Sequence, residues 1–138
     1  MSLPVHDALI RLMIVAASAD HDITNTELDR IEGLIRNLPV FEGFDRTRLA
    51  EVANACADAL NGTPGLDGVI AEAIAALPPK FEDTAYALAV EVTAVDLLLE
   101  QEELRFLELM RDHMHLDRLT TAAIEVSARA RLRKLPAQ

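Results

Sequence analysis

The chain has 138 residues, with 23 acids against 13 Lys and Arg and a formal net charge of −10 at pH 7. A chain of that length buries about two-thirds of its unfolded surface, enough for a single domain over residues 1–138 without a covalent staple. The acidity excludes a general nucleic-acid binder, and the single cysteine, Cys56, excludes a disulfide framework or a thiol-based metal site.

No basic stretch precedes the first apolar residues, and charges such as Glu91 and Asp96 interrupt the long apolar runs, so the expected setting is cytoplasmic and not membrane-spanning. The charge is uneven. From Arg118 onward there are five bases and one acid, which leaves 8 bases against 22 acids, a net of −14, in residues 1–117. The basic end complements the dipole of a final helix.

Apolar residues recur at spacings of three and four almost everywhere, and no stretch sustains the period-two alternation of a half-buried strand. The expected fold class is all-α, a compact bundle of about seven helices with short connections. A first helix, about residues 5–19, is apolar nearly all round (Leu9, Leu12, Met13, Val15, Ala16, Ala19), which suits an element enclosed by others. The turn after it is dense in oxygen donors: Asp20, Asp22, Thr24 and Glu27. Thr24 and Glu27 have the spacing of a capping box, and they open a second helix, about 25–37, with a stripe of Leu28, Ile31, Leu34, Ile35 and Leu38.

VFEGF (40–44) is a linker whose Phe41 and Phe44 either pack inward or mark a partner surface. Asp45 can cap a third helix with Leu49, Val52, Ala53, Cys56 and Leu60 on its inner face. NGTPG (61–65) breaks the chain, and a fourth helix with Leu66, Val69, Ile70, Ala73, Ile74 and Leu77 stops at Pro78 and Pro79. The fifth, about 82–97, is again apolar on most sides, with Thr84, Ala87, Glu91 and Ala94 as a weakly polar stripe expected to face solvent. The sixth, about 101–114, aligns Leu104, Leu107, Met110 and Met114. Asp117 can cap a seventh, expected to turn Leu119, Ala122, Ala123, Val126 and Ala130 inward.

Residues 10–32 laid over 86–108 without a gap match Leu12 with Leu88, Asp20 with Asp96, Glu27 with Glu103, Leu28 with Leu104 and Glu32 with Glu108. Each window runs from an apolar helix, through an Asp at its end, to an acid-capped amphipathic helix. Two helical hairpins packed about an approximate two-fold are therefore expected, with the third and fourth helices spanning between them.

The segment AASADHDITNTELDRIEGLI resembles the TerB-like tellurite-resistance family, in which an apolar helix, a turn of the ADGxIxxxE kind and an amphipathic helix form a unit that recurs near the end. The likeness extends over about residues 8–114. It implies an all-helical cytoplasmic domain linked to resistance to tellurite and other stresses, with clustered acids that bind a metal cation and no established catalytic activity. By position those acids are Asp20 and Glu27 in the first unit and Asp96 and Glu103 in the second. His21 stands where the family usually has Gly, and Leu97 and Leu98 stand where the first unit has His21 and Asp22.

Calcium takes about six to eight oxygens, and magnesium an octahedron that keeps several waters. Asp20, Asp22, Thr24 and Glu27 offer three carboxylates and a hydroxyl within eight residues. Pooled with Asp96 and Glu103, they make a divalent cation (calcium, magnesium or manganese) the expected cofactor. This is not an EF-hand, whose sixth and twelfth positions fall here on Asn25 and Ile31.

The same acids are equally accounted for by helix capping and by bonds to turn amides. Zinc finds only His6, His21, His113 and His115, with no HExxH and no cysteine pair. No nucleophile with a spaced base and no phosphate loop is present, so an enzyme is not expected. Glu91 and the histidine pair 113/115 are its only candidates. The partner expected is a protein, basic or membrane-associated, and not nucleic acid; a homodimer stays open.

Overall fold

A computed structural model describes residues 3–18, 23, 25–93 and 101–136, the side chains of 101–104 excepted. The helices are α1 (Val5–Ala17), α2 (Asn25–Asn37), α3 (Leu49–Asn61), α4 (Gly65–Ala75), α5 (Glu82–Thr93), α6 (Gln101–His113) and α7 (Arg118–Leu132). Two 3₁₀ turns, Pro39–Phe41 and Arg46–Arg48, connect α2 to α3. No strand occurs among the described residues, so the bundle is all-α as the spacing predicts. None of the described helices is long and apolar enough to cross a membrane.

The position of α1 follows from its composition. Every residue from Ala8 to Ala17 except Arg11 is buried, and a helix apolar on all sides must be covered on all sides. It touches α2, α3, α4, α5 and α6. Its most extensive contact is with α5, which buries Ala85, Tyr86, Leu88, Ala89, Val90, Val92 and Thr93. The pairs α1–α2, α5–α6, α1–α6 and α2–α5 are all in contact. Exchanging α1 with α5 and α2 with α6 leaves that set unchanged, which is the contact pattern of a duplicated hairpin. The α3 and α4 helices pack on each other and on α1, and α4 also reaches α6.

Short polar side chains set the element starts. Asp45 accepts a hydrogen bond from the Thr47 hydroxyl (2.6 Å) and amide (3.0 Å), and these bonds hold its carboxyl below the ordinary range. The 3₁₀ turn so capped runs directly into α3. Asp117 accepts from the Thr120 amide at 2.7 Å and opens α7, with the same effect on its acidity. Gly65, at φ +83°, supplies a left-handed backbone at the start of α4.

One open alternative is decided and two expectations change. Phe41 is buried beside the His6 ring (centroids 5.8 Å apart), and Phe44 is half-buried between His6 and the Arg48 guanidinium, so the linker phenylalanines join the packing and do not mark a partner surface. Glu91 does not face solvent, because its side chain is only 15% exposed and takes two hydrogen bonds from Arg131, at 3.0 and 2.6 Å.

The seventh helix is rotated from its predicted face. Thr121 and Ala128 are buried with Ile124 and Leu132 against the core, whereas Leu119 is 81% and Val126 56% exposed, and Ala122, Ala123 and Ala130 are exposed as well. The rotation has a polar cause. Glu125 and Arg131 of α7 meet Tyr86 and Glu91 of α5, and the two covered members, the Tyr86 hydroxyl and the Glu91 carboxylate, lose more when left unpaired than a surface leucine loses in water. Arg131→Ala strands the Glu91 carboxylate and is expected to lower stability by about 1–2 kcal/mol. Arg129→Ala, at an exposed position, should stay within about 0.5 kcal/mol, and paired urea titrations of the two variants measure the difference.

Candidate functional site

The acid turns of the two hairpins are the site the sequence singles out. Asp20, Asp22, Thr24 and Asp96 lie outside the described residues, as does the side chain of Glu103. Glu27 sits half-buried in the first turn of α2.

The residues that border the two turns are described. Ser18 caps the C-terminal end of α1, its hydroxyl donating to the Ile14 carbonyl at 2.8 Å. Arg105 lies in the N-terminal part of α6, two residues beyond Glu103. Both line one pocket of about 330 Å³, together with Val15 of α1, Leu60 of α3, Leu66 of α4, and Phe106 and Leu109 of α6. The end of the first hairpin's leading helix and the start of the second hairpin's trailing helix therefore share one end of the bundle. Apart from Ser18 and Arg105 the lining of that pocket is apolar. Among the described residues no three His, Cys, Asp or Glu side chains come together in a group able to hold a metal ion.

The structure also contains a polar centre that the sequence reading passed over. Tyr86 is fully buried, and its hydroxyl donates to Glu125 Oε2 at 2.5 Å. An Arg111 guanidinium nitrogen donates to the Tyr86 oxygen at 2.7 Å and to Glu125 Oε2 at 3.2 Å. The three side chains tie α5, α6 and α7 at one point. Burial first, and the bond to Glu125 second, push the phenol well above its ordinary range, so it stays a neutral donor. A signal was available: Tyr86 is the only tyrosine, set inside TAYALAV, and a tyrosine in an apolar helix needs a partner for its hydroxyl.

The remaining reactive groups are accounted for by packing. Cys56 is fully buried under Arg11, and burial pushes its thiol up to about 11, which removes the thiolate a nucleophile needs. His6 Nε2 lies 2.9 Å from the Val40 carbonyl, which can only accept, so that nitrogen carries the proton. His113 and His115 diverge to separate carboxylates, Asp67 of α4 at 3.0 Å and Glu82 of α5 at 3.6 Å, and share no ligand position. Comparison with known proteins finds no family model, no curated protein and no solved structure that matches this chain.

Proposed function

We propose that the protein is a non-catalytic binding module of the TerB-like kind, cytoplasmic and linked to resistance to tellurite and other stresses. On this reading its acidic hairpin corners take up a divalent cation. Asp20, Asp22 and Glu27 are the principal ligands, assisted by Asp96 and Glu103, and the ion is calcium, magnesium or manganese.

The observation that carries this reading is that Ser18, beside the first acid turn, and Arg105, beside the second, border one otherwise apolar pocket, so the helix ends that flank the two turns lie at the same end of the bundle. On this reading the carboxylates of the two turns would repel each other, and a hard cation would relieve that repulsion while its oxygen ligands replace water. Binding, in preference to catalysis, is supported by the state of the obvious reactive groups. Glu91 is held by Arg131, Tyr86 is held by Glu125 and Arg111, and Cys56 is fully buried.

Calorimetric titration with calcium, magnesium and manganese tests the site. A saturable heat is expected from the unaltered chain and none from Asp20→Asn/Glu27→Gln. A cation at about 100 times its Kd should add roughly 2.7 kcal/mol to stability. Absence of any carboxylate-dependent heat retires the cation.

The second reading is a metal-free interaction scaffold that presents its acidic body to a basic protein. It draws on Asp29 and Glu32 of α2 and Glu51 and Asp58 of α3, all exposed. It predicts stability unchanged by chelator.

A further inference from the structure

The outer face of α7 combines two properties that seldom coexist on a surface without a partner. A helix normally turns its most apolar stripe to the core, and an exposed apolar stripe is the informative exception. Here Leu119, Ala122, Ala123, Val126 and Ala130, at spacings of three and four, form one continuous strip on the side away from α5, and Leu135 follows it at 92% exposure.

Basic residues border the strip. At 100° per residue, Arg118 and Arg129 fall along one edge of it, and Arg133 and Lys134 follow the helix end, all four exposed. The only acid in α7, Glu125, is engaged with Tyr86 and Arg111 on the inner side. The register is fixed from behind by that contact and by Glu91–Arg131, so the strip cannot turn inward without breaking both.

The chemistry of the strip selects its occupant. A second copy of α7 is a poor match, since pairing in either direction offers the arginines no carboxylate, and an antiparallel two-fold lays Arg118 and Arg129 along their own copies. Adsorption to lipid draws on bulky side chains that sink into the acyl boundary. The strip instead carries only alanines between Leu119 and Val126, a flat surface that lets another helix approach to about 8 Å between axes. We infer that the outer face of α7 is a docking site for an amphipathic helix of another protein, one with an apolar ridge and an acidic flank to meet the Arg118 and Arg129 edge.

Fluorescence anisotropy on the full chain tests this. The probe is a labelled synthetic helix with leucines at spacings of three and four and glutamates on both flanks, run against the same peptide with lysines in place of the glutamates. The glutamate peptide is expected to bind and the lysine peptide not to. Val126→Asp should weaken binding by about tenfold or more. Arg129→Glu should weaken it by about threefold and favour the lysine peptide. Circular dichroism of both variants should be unchanged, because both side chains point to solvent.

Equal affinity for the two peptides, no binding of either, or undiminished binding by Val126→Asp overturns the proposal. Concentration-dependent self-association abolished by Val126→Asp would assign the face to a second copy. Adsorption to phosphatidylglycerol vesicles abolished by the same substitution would assign it to lipid. Either result also overturns the proposal.

Discussion

Tyr86→Ala is expected to cost about 3–5 kcal/mol, a large part of the roughly 5–15 kcal/mol that holds an ordinary domain together. Tyr86 is among the largest fully buried side chains and stands where α5, α6 and α7 converge. Its removal leaves a cavity, and it also leaves Glu125 and Arg111 with one partner fewer. Tyr86→Phe keeps the ring and loses only the hydroxyl. It should cost about 1–2 kcal/mol, because the 3.2 Å contact between Arg111 and Glu125 survives. In thermal unfolding the alanine variant should fall by roughly 10–20 °C. Equal losses for the two substitutions would show that the hydroxyl network, and not the volume of the ring, is what the three helices depend on.

Alkaline titration should produce the second large effect, and the direction of two proton affinities fixes its sign. Burial raises the Cys56 thiol from 9.0 to about 11, and raises the Tyr86 phenol above its ordinary 10.0. Both groups hold their protons more tightly in the folded chain than in the unfolded one. Their contribution is therefore complete below pH 9 and is withdrawn as pH climbs through the folded values. At about 1.4 kcal/mol per pH unit, the thiol alone accounts for a loss of roughly 2–3 kcal/mol between pH 9 and 11. Urea midpoints measured at steps through that range should fall. Cys56→Ala should flatten the segment from pH 9 to 11, and Tyr86→Phe the segment above pH 10. A midpoint that stays level to pH 11 in the unaltered chain contradicts the burial of both groups.

Helix existence and most helix faces were legible because apolar spacing is a local property. The stripe of α2, with Ile31 and Ile35 buried, and that of α3, with Leu49, Val52 and Cys56 buried, lie where the periodicity puts them. The caps at Asp45 and Asp117 were legible for the same reason, since each acts on an amide two or three residues away.

What spacing does not carry is competition between distant residues for one interface. Periodicity turned Leu119 and Val126 inward, but Glu125 and Arg131 had partners waiting on α5, 39 and 40 residues away in sequence. Those pairs decided the rotation of α7. Glu91 was misjudged for the same reason, since its own helix suggests a solvent-facing stripe and its partner lies on another helix. Of the candidate cation site, the sequence supplied every proposed ligand, and the structure supplies the neighbourhood of Ser18 and Arg105.

The enclosure of α1 has a consequence for biosynthesis. The helix is translated ahead of all the surfaces that cover it, and its main cover, α5, ends 76 residues after Ala17. At about 5–20 residues per second, a nascent segment with eight consecutive positions free of charge after Arg11 waits roughly 4–15 s for that cover. Throughout that interval it is the most adhesive part of the emerging polypeptide and the natural client of a ribosome-proximal chaperone.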